Sequence, residues 1–375
     1  MSYKISLIMP VFNVERYLTK ALDSIISQTI GFENIEVILV DDKSTDKSTD
    51  IIREYANEYE NFKAIYLDKC SGFPGKPRNV GLENATAPYI MFLDSDDYLE
   101  SAACEKLYET IIKEDADIVS GSFTKTDKDG TEKINRNVWA STLTSPDLDK
   151  KDRMKRTDEL LSEPDFKFVV TDIDKNGHIL GNANVWGKIF KRSLIMDNNI
   201  EFPEDIVAQD SVFLLESFYN AEKIVFIRDI IVHYNNRRNK TEDKSVTHVK
   251  SKKNLYGRIQ AYDLMYDLSK QYSKEDIFYK NLLSLKLNYW YKHYLLKTPM
   301  KTNEIENIFT KYSHLFSECY KADVEMSESS KEVFKEIHED NIVTAAKIVS
   351  KNQQKPSRKS TKAPFKNRLK QILKK

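Results

Sequence analysis

The sequence predicts an α/β protein, a parallel sheet with helices on both faces, followed by a region built of helices alone. Three observations carry this. The first hundred residues alternate between short apolar runs and stretches with apolar residues every three or four positions. Two of the apolar runs end in acids, Asp41-Asp42 and Asp94-Ser95-Asp96-Asp97, and open α/β sheets bind ligands at the carboxyl ends of their strands. From about Ser251 the spacing is helical throughout.

Taken in order, Ile5 to Met9 reads as a strand. Leu18, Ala21, Leu22, Ile25 and Ile26 then follow at helical spacing, with Asn13 as a candidate cap. Ile35 to Val40 is a second strand, Ser44 to Tyr55 a helix, and FKAIYL (62–67) a third strand. A loop with Gly72, Pro74 and Gly75 leads into a short helix from about Pro77, a residue suited to a first helical turn. YIMFL (89–93) is the fourth strand, apolar throughout as expected of one covered on both faces. A helix over Cys104 to Lys113 and a strand DIVSGSF (117–123) come next. The charged stretch from Lys125 to Phe166 is either a surface excursion or an acceptor-facing insertion. NVWGKIFKRSLI (184–195) returns to a strand and a helix start, and AQDSVFLLESFYNA (208–221) is a helix. Leu255, Ile259, Tyr262 and Tyr266 share one helical face, as do Leu283, Leu287, Trp290 and Tyr294. Such stripes form core or a subunit interface, so a homo-oligomer is open.

A chain of 375 residues at 40% hydrophobic and 11% aromatic content has ample material for a core. From Lys351 to Lys375 there are ten Lys or Arg and no acid, which leaves 48 basic against 58 acidic residues elsewhere. An acidic body argues against nucleic acid as the partner. The basic tail, ending FKNRLKQILKK, is either a solvated flexible segment or a peripheral contact to an anionic membrane surface. Cys70, Cys104 and Cys319 have no CxxC or Cys/His spacing, so they are read as ordinary buried thiols of a reducing compartment. The first apolar run is broken at Pro10 and Asn13, unlike a signal peptide, and no run nears the roughly 20 residues that span a bilayer. The expectation is a cytoplasmic protein.

The acids at 94–97 pose a physical question, because crowded carboxylates repel one another and lose hydration. A polar turn or helix cap would explain them, and so would a divalent cation whose charge offsets the repulsion. The wider pattern bears on the choice. SLIMPVFN (6–13), VILVDDKSTDKS (37–48), GFPGKPRNVGL (72–82), FLDSDDYL (92–99) and FPEDIVAQDSVF (202–213) occur in that order. This succession resembles the nucleotide-sugar-dependent glycosyltransferases of family 2. It is most similar to bacterial wall teichoic acid N-acetylglucosaminyltransferases, through GKPRN and the segment reaching HYNNRR (233–238).

The resemblance covers roughly residues 4–250 and implies a GT-A fold, Rossmann-like, with a mixed, mostly parallel sheet. The domains are then a GT-A catalytic domain at 1–250, a helical region at 251–350 and the basic tail at 351–375. It implies an inverting, metal-dependent transfer of a sugar, N-acetylglucosamine being one candidate, from a UDP-sugar donor to a hydroxyl of a cell-surface polymer such as teichoic acid or of a lipid-linked acceptor. A capsule or exopolysaccharide enzyme with another UDP-hexose is the alternative. Asp94 and Asp96 have the DxD spacing that the resemblance assigns to ribose and metal, with Asp96 holding Mn²⁺ or Mg²⁺; Ser95 belongs to the same group. Asp97 instead suits a cap for the next helix. Asp42, and with it Asp41, is implied near the nucleobase, where a carboxylate can accept the uracil imide N–H. Pro10, Val11 and Phe12 would line the base pocket. Within the Pro77-Arg78-Asn79 turn, Arg78 has the planar fork that suits diphosphate or sugar hydroxyls; a surface salt bridge is its other reading. Asp210 matches the general base, with a helix N-cap as its alternative. Gln209 stands where the family pattern commonly has Glu. Arg238 and Ser245 fall where relatives close a loop over the diphosphate. A nucleotidyltransferase would need a Gly-rich phosphate loop where this chain has PVFN. A non-catalytic scaffold would have been signalled by loss of Asp96 or Asp210, and both are present.

Overall fold

The computed structural model describes residues 2–126, 132–134, 159, 166–173, 175, 184–235, 251–322 and 326–354. Arg238 and Ser245, most of the charged 125–166 stretch and the basic tail beyond residue 354 lie outside the described residues. The first half runs β1 (Ile5–Val11), α1 (Leu18–Ile26), β2 (Ile35–Asp41), α2 (Ser48–Glu58), β3 (Phe62–Tyr66), α3 (Gly75–Asn84), β4 (Tyr89–Phe92), β5 (Tyr98–Leu99) and α4 (Ala103–Glu114). It continues with β6 (Ile118–Thr126), β7 (Glu132–Ile134), β8 (Lys167–Val170), β9 (Lys188–Lys191), α5 (Arg192–Asp197), α6 (Gln209–Asn220) and β10 (Ile224–Tyr234). The C-terminal helices are α7 (Lys252–Gln271), α8 (Glu275–Phe278), α9 (Ser284–His293), α10 (Thr302–Lys311), α11 (Ser313–Lys321), α12 (Glu328–His338) and α13 (Ile342–Gln354).

The ten strands among the described residues form one sheet, with the path β3-β2-β1-β4-β9-β6-β10-β5, β7 beside β6 and β8 beside β10. The four strand–helix repeats give the parallel half, β3, β2, β1 and β4. Strand β9 runs antiparallel to both β4 and β6, and parallel pairing resumes between β6 and β10, so the sheet is mixed. Strand β10 escapes a sequence reading because Arg228 and Asp229 interrupt its apolar pattern. The register slips there, between Phe226 and Ile230 and again before Val232, and a bulge of this kind breaks the alternation that marks a strand.

Alternation along the central strands divides the core between the two faces. Leu7 and Met9 pack in one cluster with Leu22 of α1 and Leu107 of α4. Ile8 belongs to the other, with Leu82, Phe92 and Phe213, and this cluster continues into Leu255, Ile259, Leu287 and Trp290. Both C-terminal stripes are therefore buried inside the chain, as core rather than subunit interface. No helix among the described residues is long and apolar enough to cross a membrane.

Three local expectations are corrected. Asn13 does not cap α1, which starts at Leu18; it has a left-handed backbone (φ 50°). Its carboxamide instead accepts from the Thr45 N–H at 2.7 Å, and its own N–H donates to Ser44 Oγ at 3.1 Å. Those bonds tie the loop after β1 to the loop after β2, so residues 44–47 are a loop and α2 begins at Ser48. Cys70 is exposed, unlike the buried Cys104 and Cys319.

Segment 202–208 is held on two sides. On one, the Asn79 side chain accepts from the Phe202 N–H and donates to the Phe202 carbonyl, both at 2.8 Å. A Cβ on Gly75 would lie 2.3 Å from the Pro203 carbonyl oxygen. On the other, α7 approaches so closely that a Cβ on Gly257 would lie 3.1 Å from the Val207 N. Phe202 itself stacks on Phe213, ring centroids 3.9 Å apart. Gly75→Ala must drive α3 off backbone, not off a flexible side chain, and is expected to destabilise the fold by about 1–3 kcal/mol in denaturant titrations; wild-type stability would contradict the close packing.

Candidate active site

The carboxyl ends of β1, β2 and β4 open onto a cavity of about 530 Å³. Pro10, Val11 and Phe12 form one wall, and Phe12 is 44% exposed. Asp42 lies beside them, its carboxylate accepting from Ser71 N–H (2.7 Å), Ser71 Oγ (2.8 Å) and Gly72 N–H (3.3 Å). Much of its acceptor capacity thus shapes the 71–72 turn, which brings Gly72, Phe73 and Pro74 into the wall. Asp41 is not in the wall. It is buried, and accepts from Ser44 N–H at 3.1 Å and Thr49 Oγ1 at 3.0 Å, so it builds the loop behind the cavity.

Pro77 and Arg78 line the floor. Arg78 is 3% exposed and donates to Asp94 Oδ1 at 2.6 Å, which excludes a surface salt bridge, and its buried Nε has no protein acceptor. Asn79, one residue on, faces away: its amide is spent on Phe202 and on Glu204 Oε1 at 3.2 Å. It positions the site without lining it. Lys76 pairs with Glu204 at 3.2 Å, with both side chains partly exposed.

Asp94, Ser95 and Asp96 complete the far end of the floor. Among the described residues, Asp94, Asp96 and Asp97 each offer a carboxylate oxygen within 4.8 Å of the others. Asp97 does not cap the next helix. It is buried and accepts from the Asn235 N–H at 2.8 Å, tying this turn to the end of β10. The donor set is all carboxylate oxygen, the chemistry preferred by Mg²⁺ or Mn²⁺. Asp96 also faces the cavity, so the residues fit a hard divalent cation.

Also lining the cavity is the start of α6, which begins after Ala208, a non-glycine residue in the left-handed region (φ 64°). Asp210 sits in the first turn, and one of its oxygens accepts from the Ser211 N–H at 2.9 Å. Gln209 is buried and its side-chain carbonyl accepts from the Asp210 N–H at 3.1 Å. The amide that replaces the customary carboxylate therefore satisfies the helix end without adding charge. Burial pushes the Asp210 carboxyl above the usual carboxylate range, the Arg78 cation opposes this, and the Asp94 charge adds to it, with Lys286 pulling back down.

Two cations from the helical region also line the cavity, Arg258 on α7 and Lys286 on α9. Neither stands in a motif. Lys286 lies between the apolar positions Leu283 and Leu287, where a lysine reads as solvent-facing. Trp186 and Tyr234, stacked at 5.7 Å, close the side toward β10.

Residues 6–174 match the family model described as glycosyl transferase family 2. Among curated proteins, the poly(ribitol-phosphate) β-glucosyltransferase of Bacillus spizizenii is 35% identical over 258 residues, 68% of this chain and 36% of that protein. Poly(ribitol-phosphate) β-N-acetylglucosaminyltransferase TarS of Staphylococcus aureus is 29% identical over 236 residues, 63% of this chain and 36% of TarS. The chain thus spans well under half the length of either relative. The structure of S. aureus TarS 1–349 in complex with UDP-GlcNAc superposes with a TM-score of 0.67 at 23% identity, covering 94% of this chain and 92% of that one. That likeness shows the fold, GT-A with a helical C-terminal region.

Proposed function

Residues 6–174 of this chain are a glycosyl transferase family 2 domain, and from that premise we propose that the protein transfers a sugar from a UDP-sugar to a hydroxyl of a teichoic-acid-type polymer, with inversion. The observation that carries the reading is the division of labour across one cavity. Phe12, Asp42, Arg78, the Asp94–Asp96 turn and Asp210 all line it, and burial raises the Asp210 pKa. The relatives' poly(ribitol-phosphate) activities support the acceptor class. The UDP-GlcNAc complex of TarS supports a UDP donor.

In this reading Phe12 offers a ring for the base, and Asp42 an acceptor next to it. Arg78 is held rigid by Asp94 and by its packing 5.3 Å from the Phe202 ring, which suits it to the donor's diphosphate. Asp96, with Asp94, would hold Mg²⁺ or Mn²⁺, and the bound cation would stabilise the charge growing on the departing diphosphate. Asp210 takes the acceptor hydroxyl proton through the oxygen not engaged by Ser211. As that proton moves, the acceptor oxygen bonds to the anomeric carbon and the bond to UDP breaks.

A thermal-shift panel of UDP-, GDP- and dTDP-sugars with Mn²⁺ tests the donor. A ligand at 100 times its Kd stabilises the fold by about 2.7 kcal/mol, so the true donor should raise Tm by several degrees. Release of UDP on adding poly(ribitol phosphate) then tests the acceptor. Response to a GDP-sugar alone, or to no sugar nucleotide, overturns the reading.

A further inference from the structure

We infer that Lys286, carried into the cavity by the C-terminal helix α9, is a positioning residue for Asp210: its ammonium faces the carboxylate and holds it ionised and oriented among other anions. This rests on the reading of Asp210 as the base. The geometry begins at Ser211, whose N–H is bonded to Asp210 at 2.9 Å and whose hydroxyl lies 3.4 Å from Lys286 Nζ. One residue therefore touches both the acid and the cation. The packing of Leu283, just before α9, and of Leu287 on it, both buried and flanking Lys286 in sequence, fixes where the lysine enters.

The charges facing Asp210 come from four directions. Arg78 on α3 is bonded to Asp94, the acid that follows β4, so these two largely cancel as seen from Asp210. Lys188 on β9 is wholly buried and donates to the Asn184 carbonyl, and Asp210 interacts with it at longer range. Lys286 on α9 is the cation placed against the first turn of α6, with Arg258 of α7 as its like-charged neighbour. Burial pulls the Lys286 amine down to about 8, and Asp210 pulls it back up, as expected of a mutual pair in a dry site. A donor diphosphate would add negative charge to the same cavity and favour protonation of the base. A nearby cation counters that.

The test compares Lys286→Met and Lys286→Arg in the full chain, with the donor identified by the panel. Removing the cation disfavours the carboxylate and so raises its pKa. The acid limb of the kcat/KM profile should move up by about one pH unit in the Met variant, roughly a tenfold loss on that limb with the plateau largely kept, and Arg should restore it. UDP affinity by calorimetry should change less than about twofold. If Met fails to fold, Lys286→Gln, which keeps hydrogen-bonding reach to Ser211 without charge, is read the same way. An unmoved acid limb overturns the inference, as does a loss confined to acceptor KM, which would make Lys286 an acceptor contact. Failure of the underlying reading looks different: Asp210→Asn would then keep its full rate.

Discussion

Replacing Asp210 by Asn is expected to lower kcat by about 10²–10⁴-fold, the usual loss for a positioned base, with donor affinity nearly unchanged. In a single displacement the acceptor oxygen attacks the anomeric carbon from the face opposite the diphosphate, so the proton acceptor must stand across the cavity from Asp94 and Asp96. Asp210 lines the same cavity. A free aspartate near pH 4 would be a modest base; burial raises this one above that range, toward the working pH where proton transfer is most efficient. The same shift fixes the stability outcome. A folded pKa above the unfolded one favours the native state at low pH, and that contribution is lost as pH rises through the folded pKa. Above that folded pKa the ionised Asp210 therefore costs stability, and there Asn, which can still accept from Ser211 N–H, should leave Tm unchanged or raise it. A variant with wild-type kcat would refute the assignment, as would proton NMR showing an α-linked product from an α-linked donor. A large drop in Tm with kcat kept would leave Asp210 as only a helix cap.

Asp96→Asn is expected to abolish turnover, by about 10³-fold or more, since several kcal/mol of charge stabilisation at the leaving diphosphate would be lost. Excess EDTA should do the same to the wild type, with Mn²⁺ or Mg²⁺ restoring it. A second readout needs no activity. Three carboxylate oxygens within 4.8 Å repel one another when no cation is bound. Asp96→Asn removes one charge, so in EDTA its Tm should equal or exceed that of the wild type, whereas added Mn²⁺ should stabilise the wild type more. Full turnover with the metal demonstrably removed would sink the metal reading.

Much of the cavity lining was legible because it is written in short contiguous motifs, at strand ends and at the start of α3. Phe12, Asp42, Arg78, Asp94, Ser95 and Asp96 all line the cavity. The same motifs misled at their neighbours. Asp41 precedes Asp42 and Asn79 follows Arg78, but a strand or helix turns adjacent side chains to different sides. Asp41 therefore holds the 44–49 loop, and Asn79 clamps Phe202. Asp97 turned to Asn235, a partner 138 residues away, which no local rule could supply.

The sequence by itself determined the parallel half of the sheet, the acids at its carboxyl edge and the apolar stripes of the C-terminal helices. All of these rest on periodicity within a few turns of chain. Only the tertiary structure decided that β9 would enter antiparallel, that α7 would press Gly257 against Val207, and that Arg258 and Lys286 would share the cavity with Asp210. Those outcomes depend on how one continuous core packs α6, α7 and α9 together. Burial, which shifts the Asp210 and Lys286 proton equilibria, arises only once those helices exclude water from around them.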